Sequence, residues 1–192
     1  KTFIQPNSIN QCEEIIKYFS KKKIDFYVLG NQSNIIIRDG IILTPIINFS
    51  ILSELLLEKI PDGLIITCGS GVPMPRFSKK ITENGFTGAE GILGIPGTVG
   101  GGICMNASSY DSYLCSFLKK TKLIDQDGKT FTLNKDELKL RWRGSLVKDK
   151  RYIVLECQFF VPQKNYIGEH KAKEISNNII NHRRFYQEND LP

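Results

Sequence analysis

Residues Gly91–Tyr110 read "GILGIPGTVGGGICMNASSY", six glycines and one proline set among Ile, Leu, Val and Met. Glycine loses more backbone freedom on folding than any other residue. A cluster this dense therefore marks either a flexible linker or a backbone that something must approach closely. The interleaved apolar residues argue against a linker. Tight internal packing and a ligand cradle both stay open, with packing the better reading for any one glycine turn taken alone.

Two further glycine turns precede this stretch. "LGNQSN" (Leu29 to Asn34) and "CGSG" (Cys68 to Gly71) each follow an apolar, strand-like run, and "GIPGTVGGG" (Gly94 to Gly102) leads into another. Turns of this kind expose backbone N–H groups, and a helix start adds partial positive charge, a combination suited to a pyrophosphate. None of the three is a GxGxxG fingerprint or a GxxxxGK[ST] loop, which disfavours Rossmann and P-loop folds.

Around these turns the pattern predicts a helix from Ile9 to Lys22: Ser8 caps it, apolar residues follow at helical spacing, and lysines close it. Short strands are predicted at "KTFIQP", "DFYVLG", "NIIIRDG", "ILTPII" and "SILSELLL", with Pro45 assigning its strand to a sheet edge. Pro61-Asp62-Gly63 is the strongest turn signal and sets an expected lobe boundary. Residues 63–165 then carry strand "LIITCGSG", a helix from Pro73 to Asn84, and strands "FLKKTKLID", "DGKTFTL" and "RYIVLECQFFV", with "DQDG" as a hairpin turn. A polar helix from Glu169 to Glu188 lies within a closing segment, 166–192. The fold class is α+β, a small α/β lobe (1–62) beside a lobe of mixed or antiparallel sheet with flanking helices.

Composition narrows the partners. With 192 residues, 41% hydrophobic and 24% charged, the chain can bury a sizeable core, which excludes disorder. The net charge of +6 comes from lysines dispersed among acids, apart from Lys21 to Lys23. That reads as a solvated surface able to attract an anionic ligand, not as a nucleic-acid stripe. Five scattered cysteines without CxxC or Cys/His spacing indicate neither a disulfide framework nor a metal site. No apolar run reaches membrane length and no signal peptide opens the chain, so a soluble, cytoplasmic protein is expected.

"VLGNQSNIIIRDG", "ITCGSGV", "GFTGAEGILGIPGTVGGGICMNASSY" and "LRWRGS" occur in an order and spacing that resemble the UDP-N-acetylenolpyruvoylglucosamine reductases, the MurB flavoenzymes. The resemblance spans Phe3 to Pro192 and is most specific from Ile95 to Asn106. It implies a two-lobed FAD-binding fold, with a third domain closing over a UDP-sugar. It also implies NADPH-dependent reduction of UDP-N-acetylglucosamine enolpyruvate to UDP-N-acetylmuramate, a step of peptidoglycan precursor synthesis.

Residue by residue, Gly30, Asn31, Gln32, Ser33 and Asn34 match the family's pyrophosphate loop of the form G-x-G-S-N, with Gln32 in place of a glycine. A positive φ at that position would strain the loop. Gly97, Thr98, Gly100 and Gly101 match the second FAD segment, where backbone amides and the Thr hydroxyl meet phosphate and isoalloxazine edges. Asn106 and Tyr110 match positions beside flavin and substrate. Tyr113 stands where the family has a glutamate.

Arg143 matches the arginine of Y-R-x-S, which the resemblance sets against the enolpyruvyl carboxylate as the catalytic and substrate-binding cation. A fixed guanidinium holds a carboxylate bidentately and draws charge as hydride adds. The competing reading of Arg143 is a surface cation stacked on Trp142.

The family's proton-donating serine, in "GSxFKNP", and its assisting glutamate are not in these residues. The chain opens on Lys1 and stops near that motif. Two expectations follow: a two-domain piece of a longer enzyme, or a short relative that binds flavin but acts on another nucleotide sugar or none. Ser145 is not expected to replace the missing donor. His170 and His182, with "NHRRF", read as a solvated helix face.

Overall fold

The computed structural model describes residues 2–186. In chain order its elements are β1 (Phe3–Ile4), α1 (Ile9–Lys22), β2 (Tyr27–Leu29), β3 (Ile46–Asn48), β4 (Leu55–Ile60), β5 (Gly63–Gly69), α2 (Met74–Glu83), α3 (Val99–Met105), β6 (Ser108–Ser109), β7 (Ser112–Tyr113), β8 (Leu118–Ile124), β9 (Thr130–Asn134), α4 (Leu146–Asp149), β10 (Ile153–Pro162) and α5 (Glu169–Tyr186). The α+β class holds, and the three long helices start where the sequence places them. Ser8 accepts from Gln11 N at the start of α1, and Lys23 closes it in the left-handed region. Residues 187 and 188 of the expected last helix lie outside the described residues.

The small lobe is a parallel sheet of order β1-β3-β2. This corrects the edge assignment drawn from Pro45, because β3 is the central strand and all three of its residues are buried. Pro45 sits just before the first paired residue, where a missing N–H breaks no ladder bond, and its carbonyl accepts from Tyr27 N at 2.9 Å. A second correction concerns "NIIIRDG", which forms no strand. Ile36 is 98% exposed, and Ile41 and Leu43 are 83% exposed. β-Branched residues favour strands by packing on a half-buried pleated surface, and among the described residues nothing covers this run.

The large lobe is built on an antiparallel sheet of order β4-β5-β10-β8-β9. Here β4 pairs with β5 from Leu55↔Cys68 to Ile60↔Gly63. Pro61 and Asp62 are therefore the turn of a hairpin, and the expected boundary after Asp62 would cut it. The chain passes from one sheet to the other between Asn48 and Leu55.

Helix α2 buries Met74, Phe77, Ser78, Ile81 and Thr82, one stripe at i, i+3, i+4, i+7 and i+8. Phe77 packs on Phe159 of β10 with ring centroids 4.6 Å apart. Each such buried ring contributes roughly 1.5–3 kcal/mol.

A second core joins the lobes. Cys12, Ile16 and Phe19 of α1 and Ile47 of β3 pack with Ile124, Ile153 and Leu155 of the large sheet. Leu155 reaches this core because of a β-bulge: Val154 pairs with Leu123 and Glu156 with Lys122, leaving Leu155 as the extra residue. Beyond the bulge Cys157, Phe159 and Val161 face the main core instead. One strand thereby serves two cores.

Burial pushes the Cys12, Cys115 and Cys157 thiols up to about 12 from an ordinary 9.0. Above pH 9 the unfolded chain gives up thiol protons that the folded chain keeps, so this contribution is complete below pH 9 and is lost as pH rises. Urea midpoints are expected to fall as pH rises above 9, and less steeply in Cys157→Ala. Rapid alkylation of Cys157 in the native protein would contradict this.

Candidate functional site

Asn48 roots the first glycine turn. Buried at the end of β3, its Nδ2 donates to Gly30 O at 2.7 Å, while its Oδ1 accepts from Ser50 N at 3.1 Å, from Ser50 Oγ and from Gln5 Nε2 at 3.3 Å. Beyond Gly30 the chain turns through Gln32 at φ 57°. The position does demand left-handed backbone, so the glutamine carries the strain expected of it. Among the described residues, the amides of Asn31 to Asn34 donate no hydrogen bond.

The second segment faces this loop. A Cβ on Gly30 would stand 2.6 Å from Thr98 Oγ1, and one on Gly97 would stand 2.6 Å from Ser33 Oγ. Gly97 also has φ 108°, so it needs glycine twice over. Thr98 caps α3, its hydroxyl accepting from Gly101 N at 3.4 Å.

Gly100 N donates to Ser70 O at 2.9 Å, and a Cβ there would press on Ser70 Cβ at 2.8 Å. The N–H groups of Gly97 and Thr98 donate no hydrogen bond among the described residues, while those of Gly100 and Gly101 are thus engaged inside the protein. What these glycines provide is closeness: on Gly101 a Cβ would meet only Thr98 Oγ1, at 3.7 Å, leaving that face open. Beside them Ser70 Oγ is buried without a partner among the described residues.

Asn106 ends α3 in the left-handed region at φ 45°. Its Nδ2 donates to Arg141 O at 3.2 Å, and Ser145 Oγ, fully buried, donates to Cys104 O at 2.9 Å. These two bonds fasten the Arg141–Gly144 turn to the end of α3. The turn is closed by Arg141 N to Gly144 O at 3.0 Å and carries Arg143 at φ 53°. Arg143 is exposed and its Cζ lies 5.3 Å from the Trp142 ring centroid. The stacked-cation geometry is present, on a turn anchored beside Asn106.

Tyr110 and Asp111, both with positive φ, form the two-residue turn between β6 and β7. Tyr113 is 44% exposed on β7. A concavity of about 580 Å³ lies between β2 and residues 35–44, adjoining the first loop but not lined by Gly97–Gly101. It is the exposed isoleucine run, not the two facing glycine segments, that shapes it.

Residues 1–134 match the family model described as FAD binding domain. The chain belongs to the FAD-binding domain family.

Within it, the chain is 34% identical over 163 residues to UDP-N-acetylenolpyruvoylglucosamine reductase of Clostridium botulinum type A strain Hall, covering 85% of this chain and 52% of that protein. The type B strain Eklund 17B protein of the same name is 36% identical over 156 residues, 81% of this chain and 50% of that protein. The chain spans about half the length of these curated relatives. The fold matches that of MurB from Thermus caldophilus with a TM-score of 0.74 at 20% identity, over 95% of this chain and 62% of that one. The resemblance read from the four motifs stands.

The residues of this FAD-binding domain fit the cofactor. The amides of Asn31–Asn34 are unengaged on a loop that packs against Gly97 and Thr98 without room for a Cβ on Gly30 or Gly97, Gly101 leaves an open face, and Ser70 near Gly100 carries an orphaned hydroxyl. Sequence reasoning missed Asn48, and it missed the anchoring contacts of Ser145 and of Arg183 in "NHRRF". An Asn closing the apolar run "PIIN" was the available signal for the first, since a buried amide needs partners. Among the described residues no helix is long and apolar enough to cross a membrane.

Ser145→Ala leaves the half-buried Cys104 carbonyl without its partner, with an expected cost of about 1 kcal/mol. Denaturant melts measure it. An unchanged midpoint would show that the bond fastens nothing.

Proposed function

We propose that this domain is the FAD-binding part of a cytoplasmic, NADPH-dependent reductase that converts UDP-N-acetylglucosamine enolpyruvate to UDP-N-acetylmuramate in peptidoglycan precursor synthesis. The observation that carries the reading is the Arg143 turn, bonded through Asn106 and Ser145 to the α3 segment whose glycines face the Gly30–Asn34 loop. FAD, when bound and reduced by NADPH, supplies the hydride that adds to the enolpyruvyl double bond.

On this reading the amides of Asn31, Gln32, Ser33 and Asn34 hold the pyrophosphate, with Gly30 as the hinge of the loop. Gly97, Thr98, Gly100, Gly101 and Asn106 line the isoalloxazine edge. Tyr110 and Arg143 meet the UDP-sugar, Arg143 by holding the carboxylate with a forked pair of hydrogen bonds. Charge that develops toward the carboxylate as hydride adds is then met by a cation already in place. Ser145 is unsuited to give the proton, because its hydroxyl is buried and donates to Cys104 O. Proton delivery falls to groups outside this domain.

Tyr113 favours a second reading. An exposed aromatic where the family has a glutamate alters the substrate side, and suits a flavoprotein acting on a different nucleotide sugar.

An absorbance spectrum of the purified full-length protein tests the first claim, and assay with the enolpyruvyl UDP-sugar separates the two readings. Arg143→Ala is expected to keep its flavin and lose on the order of 10²-fold or more in kcat/KM. Unchanged turnover would remove Arg143 from the site. Gln32→Gly relieves a left-handed strain of about 1–2 kcal/mol already present in the ligand-free fold and is expected to raise the denaturant midpoint of the flavin-free protein; a lowered midpoint would refute the strain.

A further inference from the structure

The "NHRRF" run of α5 departs from its reading as a solvated face, because Arg183 turns inward. Its Nη1 donates to Gly94 O at 2.8 Å, and its Nη2 donates to Gly91 O at 3.0 Å and to Ser109 Oγ. Its Cζ stands 4.9 Å from the centroid of the Tyr110 ring. Tyr110 Oη is in turn hydrogen-bonded to His182 Nδ1 at 3.1 Å, with the two rings edge-on. One guanidinium joins the 3-10 turn Glu90–Gly94, which leads into the Gly97–Gly101 segment, to the hairpin that carries Tyr110.

We propose that Arg183, with His182 beside it, is a positioning residue that sets the Tyr110 ring against the entry to the flavin segment. The proposal rests on the reading above, in which Tyr110 meets the UDP-sugar.

Three physical arguments support it. A hairpin of two two-residue strands has no stability of its own, and a tyrosine in left-handed backbone holds that turn only when its surroundings impose it. The end of a 3-10 turn leaves its last carbonyls without partners; Gly94 O is such a group, and Gly91 O, one turn behind it, is a second acceptor on the same side. A planar fork of fixed donors reaches both and stacks on the ring at once, which a lysine ammonium cannot do. Gly94 adds an independent sign. It is not in the left-handed region, so its backbone does not require glycine, yet a Cβ there would overlap the Arg183 guanidinium. Its missing side chain is room for the arginine.

This gives two routes to dislodge the clamp. Arg183→Ala removes it, whereas Gly94→Ala pushes aside only the far end of a flexible side chain and so reports even if Arg183→Ala fails to fold. In the flavin-free full-length protein, both variants are expected to raise amide exchange at Ser108–Tyr113 about tenfold while β8 and β10 stay protected. In the flavin-loaded protein, both are expected to raise KM for the enolpyruvyl UDP-sugar more than they lower kcat. Tyr110→Ala is expected to raise KM as well, with no further rise when Arg183→Ala is added.

Unchanged exchange in Gly94→Ala, or full recovery by Arg183→Lys, overturns the clamp. A raised KM in Tyr110→Ala beside an unchanged KM in Gly94→Ala overturns the positioning role alone. An unchanged KM in Tyr110→Ala overturns the substrate reading of Tyr110, and the positioning proposal falls with it.

Discussion

The two lobes are held at a separation that leaves no room for a Cβ. Gly69 and Gly71 lie so close to the backbone of Phe49–Leu52, the passage between the two sheets, that a methyl group would strike Leu52 O or Phe49 O. Gly71 N donates to Leu52 O at 2.8 Å and Gly69 N to Glu54 O at 3.0 Å. Glycine is conformationally costly, but here it allows main chain to bond main chain across the junction. For "CGSG" the packing interpretation prevails, and the turn is a joint. The start of α3 is set from this contact, because Ser70, held between the two glycines, accepts from Gly100 N.

The bulge at Leu155 completes the joint from the opposite side. Leu155 O accepts from Ser70 N at 2.9 Å while its side chain enters the core shared with α1. A regular strand would send residues 153, 155 and 157 to one face. The extra residue instead lets Ile153 and Leu155 serve the junction while Cys157 and Phe159 serve the main core. The same irregularity aims a carbonyl at Ser70, whose own carbonyl accepts from Gly100 N. Fold and site are therefore coupled through a single register shift.

How much of this was legible follows from which forces are local. α1, α2 and α5 were readable because caps and 3.6-residue spacing lie within one segment of chain. The strands of the large sheet were readable from apolar runs and turn residues. Their order, the central place of β3 and the bulge were not, since register depends on partners distant in sequence. "NIIIRDG" misled because strand propensity expresses burial that this run does not obtain. Of the site, the resemblance supplied Gly30–Asn34 and the "GIPGTVGGG" segment, and the structure brings these together. The contacts of Asn48, Ser145 and Arg183 were invisible because each falls on a backbone carbonyl, and a sequence carries no sign of which carbonyl lacks a partner.

On the proposed reading, the two facing loops divide the work that either could do alone. A phosphate needs donors, and a flat ring needs a surface without side chains. The Asn31–Asn34 amides are unengaged and can serve the first need. The Gly100 and Gly101 amides are held internally by Ser70 O and Thr98 Oγ1, so the start of α3 is fixed and suits the second, while the Gly97 and Thr98 amides just before it stay unengaged among the described residues. A rigid surface is what lets Asn106, at its far end, hold the Arg143 turn at a fixed distance from it. Gly100 and Gly101, placed for closeness with their N–H groups already satisfied, make the segment a reference plane for the residues around it. Asn106 and Ser145 anchor at the end of α3, whereas Asn48 roots the first loop only at Gly30 and leaves Asn31–Asn34 beyond it without backbone bonds.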